Sequence, residues 1–506
     1  MDSLESDYTL KIETKGVEST PPNPERTKDA FSRIGYSPEE SIADLIDNSI
    51  DATASDVLIR LVYNSKNVQR IFIVDNGSGM REEILRRAMQ FGSTLKHEKT
   101  DLGKYGMGLK TASLSQCEQF SVITRAGGEI SGRRWSSASF QKDWLCEKLD
   151  RSGCAILLAA SWAGLDLKKS GTIVMWEKLT CLQAGDIGTS ETVNKAIIGL
   201  ANHLGLVFHR FIEKKGGLKI HLDSQLTGTG ESKVTQTVEP LNPFGYRISG
   251  AKNYPKEFRI KLEGVESMTL VGHIWPPKSR ERGYTLGGGK ISSRQGFYFY
   301  RNDRLIQSGS WNGFRGDDAE PHVSLARVMV DIPPRAEGSF DVMVQKSKVM
   351  PPRDFVEAVK AATSGSTRFP DYVVKATEVY RQKVGREAVE DFPLVPWLGL
   401  SQGSREKVRE VLAPEDQRIR KVGFWWKKLE AGSIFELDRD RRRINLNELH
   451  RGAILGGSRR SKNDAELFKA TIFLLVRECF EHQAMTRQRK EFLDTCNRLL
   501  LHCING

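Results

Sequence analysis

The sequence predicts an α+β protein of several domains, and three observations support this prediction. The chain has 506 residues, which is more than one hydrophobic core usually serves. Between about Phe31 and Leu179, helical and strand-like segments alternate. From Leu200 to about Lys360 strands and turns dominate, and beyond Asp354 apolar residues recur at three- and four-residue intervals, which is typical of helices.

These changes of pattern predict four regions. Residues 1–25 are polar and contain prolines, so we expect a leader or strap. We then expect an α/β domain over 26–180, a second α/β domain over 181–355 and a mainly helical, basic domain over 356–506.

Composition is that of an ordinary globular protein, with 39% hydrophobic and 28% charged residues. The longest apolar stretch, residues 155–165, is too short to cross a bilayer, and residues 1–10 lack the features of a secretory signal. The seven cysteines include no CxxC pair, so we expect neither a disulfide framework nor a zinc site. The expected location is the cytoplasm, with no membrane partner.

The net charge of +12 is concentrated near the C-terminus. Residues 401–506 contain 22 Lys and Arg against 15 Asp and Glu. A basic surface attracts nucleic acid, an acidic protein or anionic lipid, and charge alone does not choose among them.

The first candidate site lies on a predicted helix that begins at Ser37, which can cap it together with Glu40. Asp44, Asn48 and Asp51 follow at helical spacing, so they share one face. An amide oxygen can bind a hard cation such as Mg²⁺, and a carboxylate one turn away can orient a water for attack. The alternative interpretation is a solvated polar face.

The second candidate follows a strand-like run that ends at Asp75. A buried acid there can accept a hydrogen bond from an exocyclic amine such as that of adenine. Gly77 and Gly79 follow it and allow a sharp turn and a close ligand approach. An ordinary Asp-Asn-Gly turn is the alternative.

The third candidate is the glycine-rich segment LGKYGMGLK, residues 102–110. Backbone N–H groups of such a loop, at the start of a helix, bind anions, and Lys110 adds a positive charge. The spacing differs from that of a Walker A motif.

In this order and spacing, the three segments and Ser170-Gly171-Thr172 resemble the four-motif nucleotide site of the GHKL superfamily, which includes gyrase B, MutL, a heat-shock chaperone, histidine kinases and MORC ATPases. FGSTLK followed by GKYGMGLK is most similar to the MORC and MutL branch, particularly its stand-alone bacterial members. The resemblance covers about residues 25–355. It implies a Bergerat-fold α/β sandwich, a transducer-like domain, and ATP and Mg²⁺ as cofactors.

The resemblance also implies roles for individual residues. Asn48 would bind Mg²⁺, Asp75 would bind the adenine amine with support from Thr172, and Asp44 would be the general base. The further residues expected in the nucleotide site are Asp51, Gly77, Gly79, Met80, Ser93, Thr94, Lys96, Gly103, Lys104, Tyr105, Gly106, Met107, Gly108 and Lys110.

Asp44 departs from the family pattern, because MutL-like members have glutamate at this place. Aspartate is one methylene shorter, and a displacement of about 1 Å can cost roughly 100-fold in rate. We therefore expect slow hydrolysis, and binding without turnover stays an alternative.

Downstream, GFYFYRNDRLI resembles a strand of the transducer domain. The segment SFDVMVQKSKVMPP resembles the loop whose lysine contacts the γ-phosphate. Lys346 is the first candidate and Lys348 the second. A sheet-edge lysine that serves solubility is the alternative interpretation.

Beyond the resemblance, clustered arginines suit contacts with DNA phosphates. The candidates are Arg441, Arg442, Arg443, Arg459 and Arg460. A protein partner or a merely solvated face remains open.

Taken together, we expect an ATP-gated homodimeric clamp that hydrolyses ATP slowly and engages DNA. The resemblance implies a setting in bacterial restriction or phage defence, with a nuclease or helicase as partner. A chaperone-like ATPase and a non-hydrolysing ATP-binding module are the rival hypotheses. A histidine kinase is disfavoured because no histidine precedes His97.

Overall fold

The computed structural model describes residues 18–20, 22–33, 35–91, 102, 108–141, 144–182, 188–228, 236–316, 320–342, 349–384, 394–412, 419–439, 441–480 and 487–505. The chain divides into two compact units, Met1–Arg381 and Gln382–Gly506. Over the described residues, no helix is both long and apolar enough to cross a bilayer.

An eight-stranded sheet forms the first part of the first unit. Its strands are β1 (Asp56–Tyr63), β2 (Val68–Asp75), β3 (Cys117–Ala126), β4 (Glu129–Ser136), β5 (Glu147–Lys148), β6 (Gly171–Leu179), β7 (Lys219–Leu226) and β8 (Gln236–Thr237). Their order is β5-β4-β3-β6-β2-β1-β7-β8, and only the β1–β7 pair among the described ladders of this sheet is parallel.

Helices accompany this sheet. They are α1 (Pro24–Ser32), α2 (Pro38–Asp51), α3 (Glu82–Met89), α4 (Gly108–Leu114), α5 (Ser137–Gln141), α6 (Arg151–Ala159), α7 (Thr189–Val207) and α8 (His209–Glu213).

Alternation along the central strands places apolar side chains on both faces of the sheet. In β2, Ile71 and Ile73 pack into the core shared with α2 and α7. Phe72 and Val74 pack on the opposite face, with residues of α6. Because successive strand residues point to opposite faces, a strand covered on both sides is apolar throughout.

A second sheet follows in the same unit. Its strands are β9 (Lys256–Leu262), β10 (Val265–Ile274), β11 (Gly296–Arg301), β12 (Arg304–Ser308), β13 (Ala326–Asp331), β16 (Thr363–Ser364) and β17 (Thr367–Arg368). Their order is β12-β11-β13-β10-β9-β16-β17. The other elements here are the hairpin β14 (Asp341–Val342) and β15 (Val349–Met350), and helices α9 (Arg282–Thr285), α10 (Phe355–Ala361) and α11 (Phe369–Val384).

The second unit contains a four-stranded sheet and helices. The strands are β18 (Leu394–Leu398), β19 (Arg420–Lys427), β20 (Phe435–Asp438) and β21 (Arg443–Asn447), in the order β18-β19-β21-β20. The helices are α12 (Gln402–Leu412), α13 (Arg451–Leu455), α14 (Glu466–Val476) and α15 (Arg487–Asn505).

Turns of 3₁₀ helix occur in both units, at Ile291–Arg294, Pro321–Val323, Pro334–Ala336, Glu448–His450 and Arg477–Phe480.

The predicted α+β class is confirmed, and two details differ from the sequence-based expectation. The first sheet continues past residue 180, because β7 pairs with β1 from Asp56 to Tyr63. The second sheet continues past residue 355, because Thr363 pairs with Arg259 and α11 packs on that sheet's core through Phe369.

The C-terminal region also differs, since the structure adds a sheet to the predicted helices. Its strands are only four to eight residues long. In β19, basic residues flank the aromatic run, so the sequence lacks a clear two-residue alternation there.

Candidate nucleotide-binding site

Helix α2 positions the first group of predicted residues. Ser37 and Glu40 form the predicted capping box, with Pro38 in the first turn, which fixes where the helix begins. Ile42 and Ile46 are fully buried and set the rotation of the helix. As a result Asn48 is exposed at the last turn.

Asp75 lies at the end of β2, against α2. Its Oδ2 accepts a hydrogen bond of 3.2 Å from Ser49 Oγ, and its Oδ1 accepts one of 2.9 Å from the Gly77 N–H. Burial raises the pKa of Asp75 to about 6, although the bonds from Gly77 and Ser49 oppose this shift. Ser49 directly follows Asn48 in α2. Its bond to Asp75 therefore places the acid predicted to bind adenine beside the residue next to Asn48.

The turn after Asp75 requires glycine at two positions. A Cβ on Gly77 would lie 2.9 Å from both Ala52 Cβ and Asp75 Oδ1. Gly79 has φ +68°, and a Cβ there would lie 2.0 Å from the carbonyl oxygen of Arg125. The two glycines therefore let the turn pack directly on neighbouring backbone, which the sequence predicted only in general terms.

Thr172 and Met80 meet beside the same turn. Thr172 pairs with Asp75 across β6 and β2. Thr124, which the sequence analysis did not single out, has its Oγ1 3.3 Å from Thr172 Oγ1 and accepts a 2.9 Å hydrogen bond from the Met80 N–H. A threonine pair at 124 and 172 thus supports the wall of the site.

The glycine-rich segment is described only in part. Gly108 begins α4, which agrees with the predicted loop-to-helix junction. Leu102 is described as well, and its N–H donates a 2.9 Å hydrogen bond to Asp51 Oδ1. Asp51 therefore anchors Leu102, the first residue of the segment. The predicted residues Ser93, Thr94, Lys96, Gly103, Lys104, Tyr105, Gly106 and Met107 lie outside the described residues.

Lys110, which the sequence predicts in the phosphate cradle, is buried beside the end of α3. Its Nζ donates to the carbonyl oxygens of Ala88 and Gln90 at 2.8 and 3.0 Å. Burial lowers the pKa of Lys110 to about 8. Carbonyl groups without helical partners at the end of α3 attract the ammonium, and a phosphate contact of Lys110 stays a prediction.

Asp44, the predicted general base, is almost completely buried. Its Oδ2 accepts a 3.1 Å hydrogen bond from the Tyr36 hydroxyl, and its Oδ1 lies 3.1 Å from Arg304 Nη2. Burial and the neighbouring Asp44 carboxylate raise the pKa of Tyr36 well above its usual value, so this hydroxyl stays a donor. Sequence reasoning missed Arg304 because 260 residues separate the partners.

Lys346 and Lys348 lie outside the described residues. The strands that flank them, β14 and β15, form an antiparallel pair in which Val342 faces Val349. Gln307 of β12 accepts a 2.9 Å hydrogen bond from the Val349 N–H, which fixes the base of this hairpin.

The predicted arginines of the second unit do not form one cluster. Arg441 and Arg442 are exposed in the turn before β21. Arg443 stacks on Trp425, with Cζ 4.5 Å from the ring centroid. Arg460 lies 3.6 Å from Glu448, just beyond the other end of β21. Five strand residues, roughly 16 Å, separate the two groups.

A cavity of about 550 Å³ lies elsewhere in the first unit. Phe31, Trp135 and Trp144 line it, together with Arg86 and Arg133. Among the described residues that line it, none is a predicted nucleotide contact.

The chain is similar to known proteins over the region that contains the candidate site. Residues 36–172 match the family described as histidine kinase-, DNA gyrase B-, and HSP90-like ATPase. Protein MICRORCHIDIA 7 of Arabidopsis thaliana is 32% identical over 94 residues, which cover 18% of this chain and 13% of that protein. ATPase morc-1 of Caenorhabditis elegans is 28% identical over 178 residues, covering 33% of this chain and 21% of that protein.

A third relative is the DNA mismatch repair protein MutL of Aquifex pyrophilus. It is 34% identical over 113 residues, which cover 21% of this chain and 26% of that protein. The matched segment thus spans about a quarter or less of each of these relatives. Residues 36–172 thus match a family of GHKL ATPase domains, and the proteins similar to this chain include MORC proteins and MutL.

Proposed function

We propose that this chain binds ATP with Mg²⁺ between the last turn of α2 and the end of β2. The 3.2 Å hydrogen bond from Ser49 to Asp75 carries this proposal. It holds an acid suited to the adenine amine one residue from Asn48, whose exposed amide oxygen suits a hard cation.

The residues present fit a magnesium ion that the nucleotide brings with it. Mg²⁺ in nucleotide sites is usually held by one or two protein oxygens, phosphates and water. Over the described residues, no group of three or more His, Cys, Asp or Glu forms a separate metal centre. Asn48 would hold the ion, which when bound shields the charge of the phosphates.

We infer that ATP hydrolysis is slow and that Asp44 is the general base. The water oxygen bonds to the γ-phosphorus while the bond to the β–γ bridging oxygen breaks. ADP leaves with that electron pair, and a water proton passes to Asp44. The bond from Tyr36 already uses part of the acceptor capacity of Asp44, which supports slow turnover.

A non-hydrolysing ATP-binding module is the second candidate function. The bond from Tyr36 favours it, because Asp44 would have to exchange this donor before its Oδ2 could accept a proton. Phosphate release measured on the wild type and on Asp44→Glu separates the two functions. Release by both, and faster by Asp44→Glu, supports hydrolysis, whereas no release by either supports the module.

The larger proposal is an ATP-gated homodimeric clamp on DNA, acting with a nuclease or helicase in bacterial restriction or phage defence. Similarity to MORC proteins and to a DNA mismatch repair protein supports the DNA part. The exposed Arg441, Arg442, Arg459 and Arg460 supply charges for phosphate contacts.

Two measurements test the clamp. Gel filtration with Mg²⁺ and a non-hydrolysable ATP analogue should show a dimer, and a monomer under these conditions would contradict the proposal. Anisotropy with labelled duplex DNA should show binding that weakens from 50 to 200 mM salt. Replacing Arg441, Arg442, Arg459 and Arg460 by glutamine should weaken DNA binding relative to the wild type. The double variant Lys215→Gln/Lys252→Gln serves as the surface control. Salt-insensitive binding of an unfolded protein client without DNA retention would favour a chaperone-like ATPase instead.

A further inference from the structure

The turn between β11 and β12 brings two arginines against the nucleotide domain. Arg301 Nη1 donates a 3.2 Å hydrogen bond to the carbonyl oxygen of Leu102, in the glycine-rich segment. Arg304 Nε donates a 2.7 Å bond to Asp47 Oδ1, while its Nη2 donates to Asp44. The second sheet therefore contacts both the predicted base and the predicted phosphate-binding segment.

Arg304 is buried with both of its acids. The exposed fractions of the side chains are 4% for Arg304, 2% for Asp44 and 0% for Asp47. One buried guanidinium thus faces two carboxylates. The bond from Nε to Asp47 fixes the orientation of the guanidinium plane, and Nη2 in that plane donates to Asp44. A planar, forked group of this kind holds a carboxylate in one orientation.

The third nitrogen of Arg304 has unused capacity. Nη1 is buried and has no hydrogen-bond partner among the described residues. It shares a carbon with Nη2, the nitrogen that donates to Asp44. A buried donor of this kind is costly unless another state of the protein supplies an acceptor.

The same strand also holds the first residue of β15. Gln307, three residues after Arg304 on β12, accepts a hydrogen bond from the Val349 N–H. A shift of β12 would therefore move the partner of Asp44 and the start of β15 together.

We propose that Arg304 is a positioning residue for ATP hydrolysis, which holds the Asp44 carboxylate in its working orientation and makes turnover depend on the placement of β12. This inference rests on the proposed hydrolysis by Asp44. Arg304 acts through Asp44, and Asp47 fixes Arg304.

The test compares two sets of variants. Arg304→Met alone removes the guanidinium that faces two buried acids and risks misfolding. The double variant Arg304→Met/Asp47→Leu also removes one acid, so Asp44 keeps Tyr36 but loses the guanidinium. The matched control is Arg60→Met/Asp223→Leu, a buried pair at 2.7 Å that joins β1 and β7. Thermal unfolding, affinity for a non-hydrolysable ATP analogue, and kcat from pH 5 to 9 are measured for each.

We expect the Arg304 double variant to bind the analogue within about threefold of the wild type, with kcat reduced roughly 10- to 100-fold. Without the guanidinium, Asp44 holds its proton more tightly, so the acidic fall of kcat moves to higher pH. Arg304→Lys should have a higher kcat than the Arg304 double variant and a lower kcat than the wild type. A single ammonium replaces the charge of the guanidinium but not its two parallel N–H donors. The Arg60 double variant should lose stability without either kinetic change.

Other outcomes separate this inference from the function on which it rests. If the Arg304 double variant has an unchanged or increased kcat and the same pH profile as the wild type, the proposed role of Arg304 is wrong. The proposed hydrolysis by Asp44 is not affected by that result. A wild type that binds the analogue without releasing phosphate overturns both this inference and the proposed hydrolysis. A wild type that fails to bind ATP overturns the nucleotide site itself.

Discussion

Ser49 Oγ donates a 3.2 Å hydrogen bond to Asp75 Oδ2, and this bond joins helix α2 to the end of β2. Ser49 is buried and adjacent to the exposed Asn48. Ser49 thus contacts the acid that would bind adenine, whereas Asn48 lies on the solvent side, where a metal and phosphates would lie. Recognition of the base and of the phosphates would then depend on one helical turn.

Protonation of Asp75 should make stability depend on pH. Its pKa is raised from 3.8 to about 6 in the folded protein, so between these values the folded state binds more protons than the unfolded state. The contribution of Asp75 is therefore most favourable below pH 4 and is lost as the pH rises through 6. The loss amounts to about 3 kcal/mol. Urea unfolding of the wild type and of Asp75→Asn from pH 4 to 7 measures it as the difference between the two curves.

The same variant tests the adenine contact. Asp75→Asn keeps the shape of the side chain but removes the charge, so we expect ATP affinity to fall roughly 10- to 100-fold at pH 7.5. If Asp75→Asn binds ATP as the wild type does, the assignment of Asp75 to the adenine amine is wrong, whatever its stability.

Removal of the Asn48 amide should affect magnesium-dependent binding without affecting the fold. Asn48 is exposed, so the free energy of unfolding of Asn48→Ala should stay within about 0.5 kcal/mol of the wild type. Fluorescence titration with an ATP analogue should show that Mg²⁺ strengthens binding to the wild type and no longer does so in Asn48→Ala. Asn48→Asp retains an oxygen ligand and serves as the control. Magnesium dependence that persists in Asn48→Ala would contradict the metal assignment.

The sequence predicted what local chemistry determines. The capping box of Ser37 and Glu40 is complete within four residues, and it was found where expected. Asp75 at a strand end likewise follows from the apolar run before it. These features need no knowledge of the rest of the fold.

Contacts between distant segments were not accessible in this way. Arg304 of β12 reaches Asp44 of α2 across 260 residues, and Ser49 reaches Asp75 across 26 residues. Lys110 has the residue type expected of a phosphate contact, and its contacts with the end of α3 could not be predicted from its local sequence. The roles of Lys96, Lys104 and Lys346 stay predictions, since these residues lie outside the described part of the chain.

Backbone contact should make Gly79 far less tolerant than another glycine of similar conformation. Gly79→Ala places a Cβ at φ +68° and 2.0 Å from the Arg125 carbonyl oxygen. Gly128, at φ +82° in the turn between β3 and β4, has no atom within 4 Å of the added Cβ. We expect Gly128→Ala to cost about 1 kcal/mol and Gly79→Ala about 3 kcal/mol or more, with loss of ATP binding. Equal costs in urea unfolding would mean that Gly79 does not pack as the structure has it.

Lys110 should act on stability at alkaline pH more than on nucleotide binding. Its pKa is lowered from 10.5 to about 8, so between these values the unfolded state binds more protons than the folded state. The contribution of Lys110 to the free energy of unfolding therefore rises with pH, by about 3 kcal/mol between pH 8 and 10.5. Lys110→Met should lack this rise in urea unfolding. Because Nζ binds the carbonyl groups of Ala88 and Gln90, ATP affinity at pH 7.5 should change less than about threefold. A loss of tenfold or more with normal stability would instead return Lys110 to the phosphate contact that the glycine-rich segment predicted.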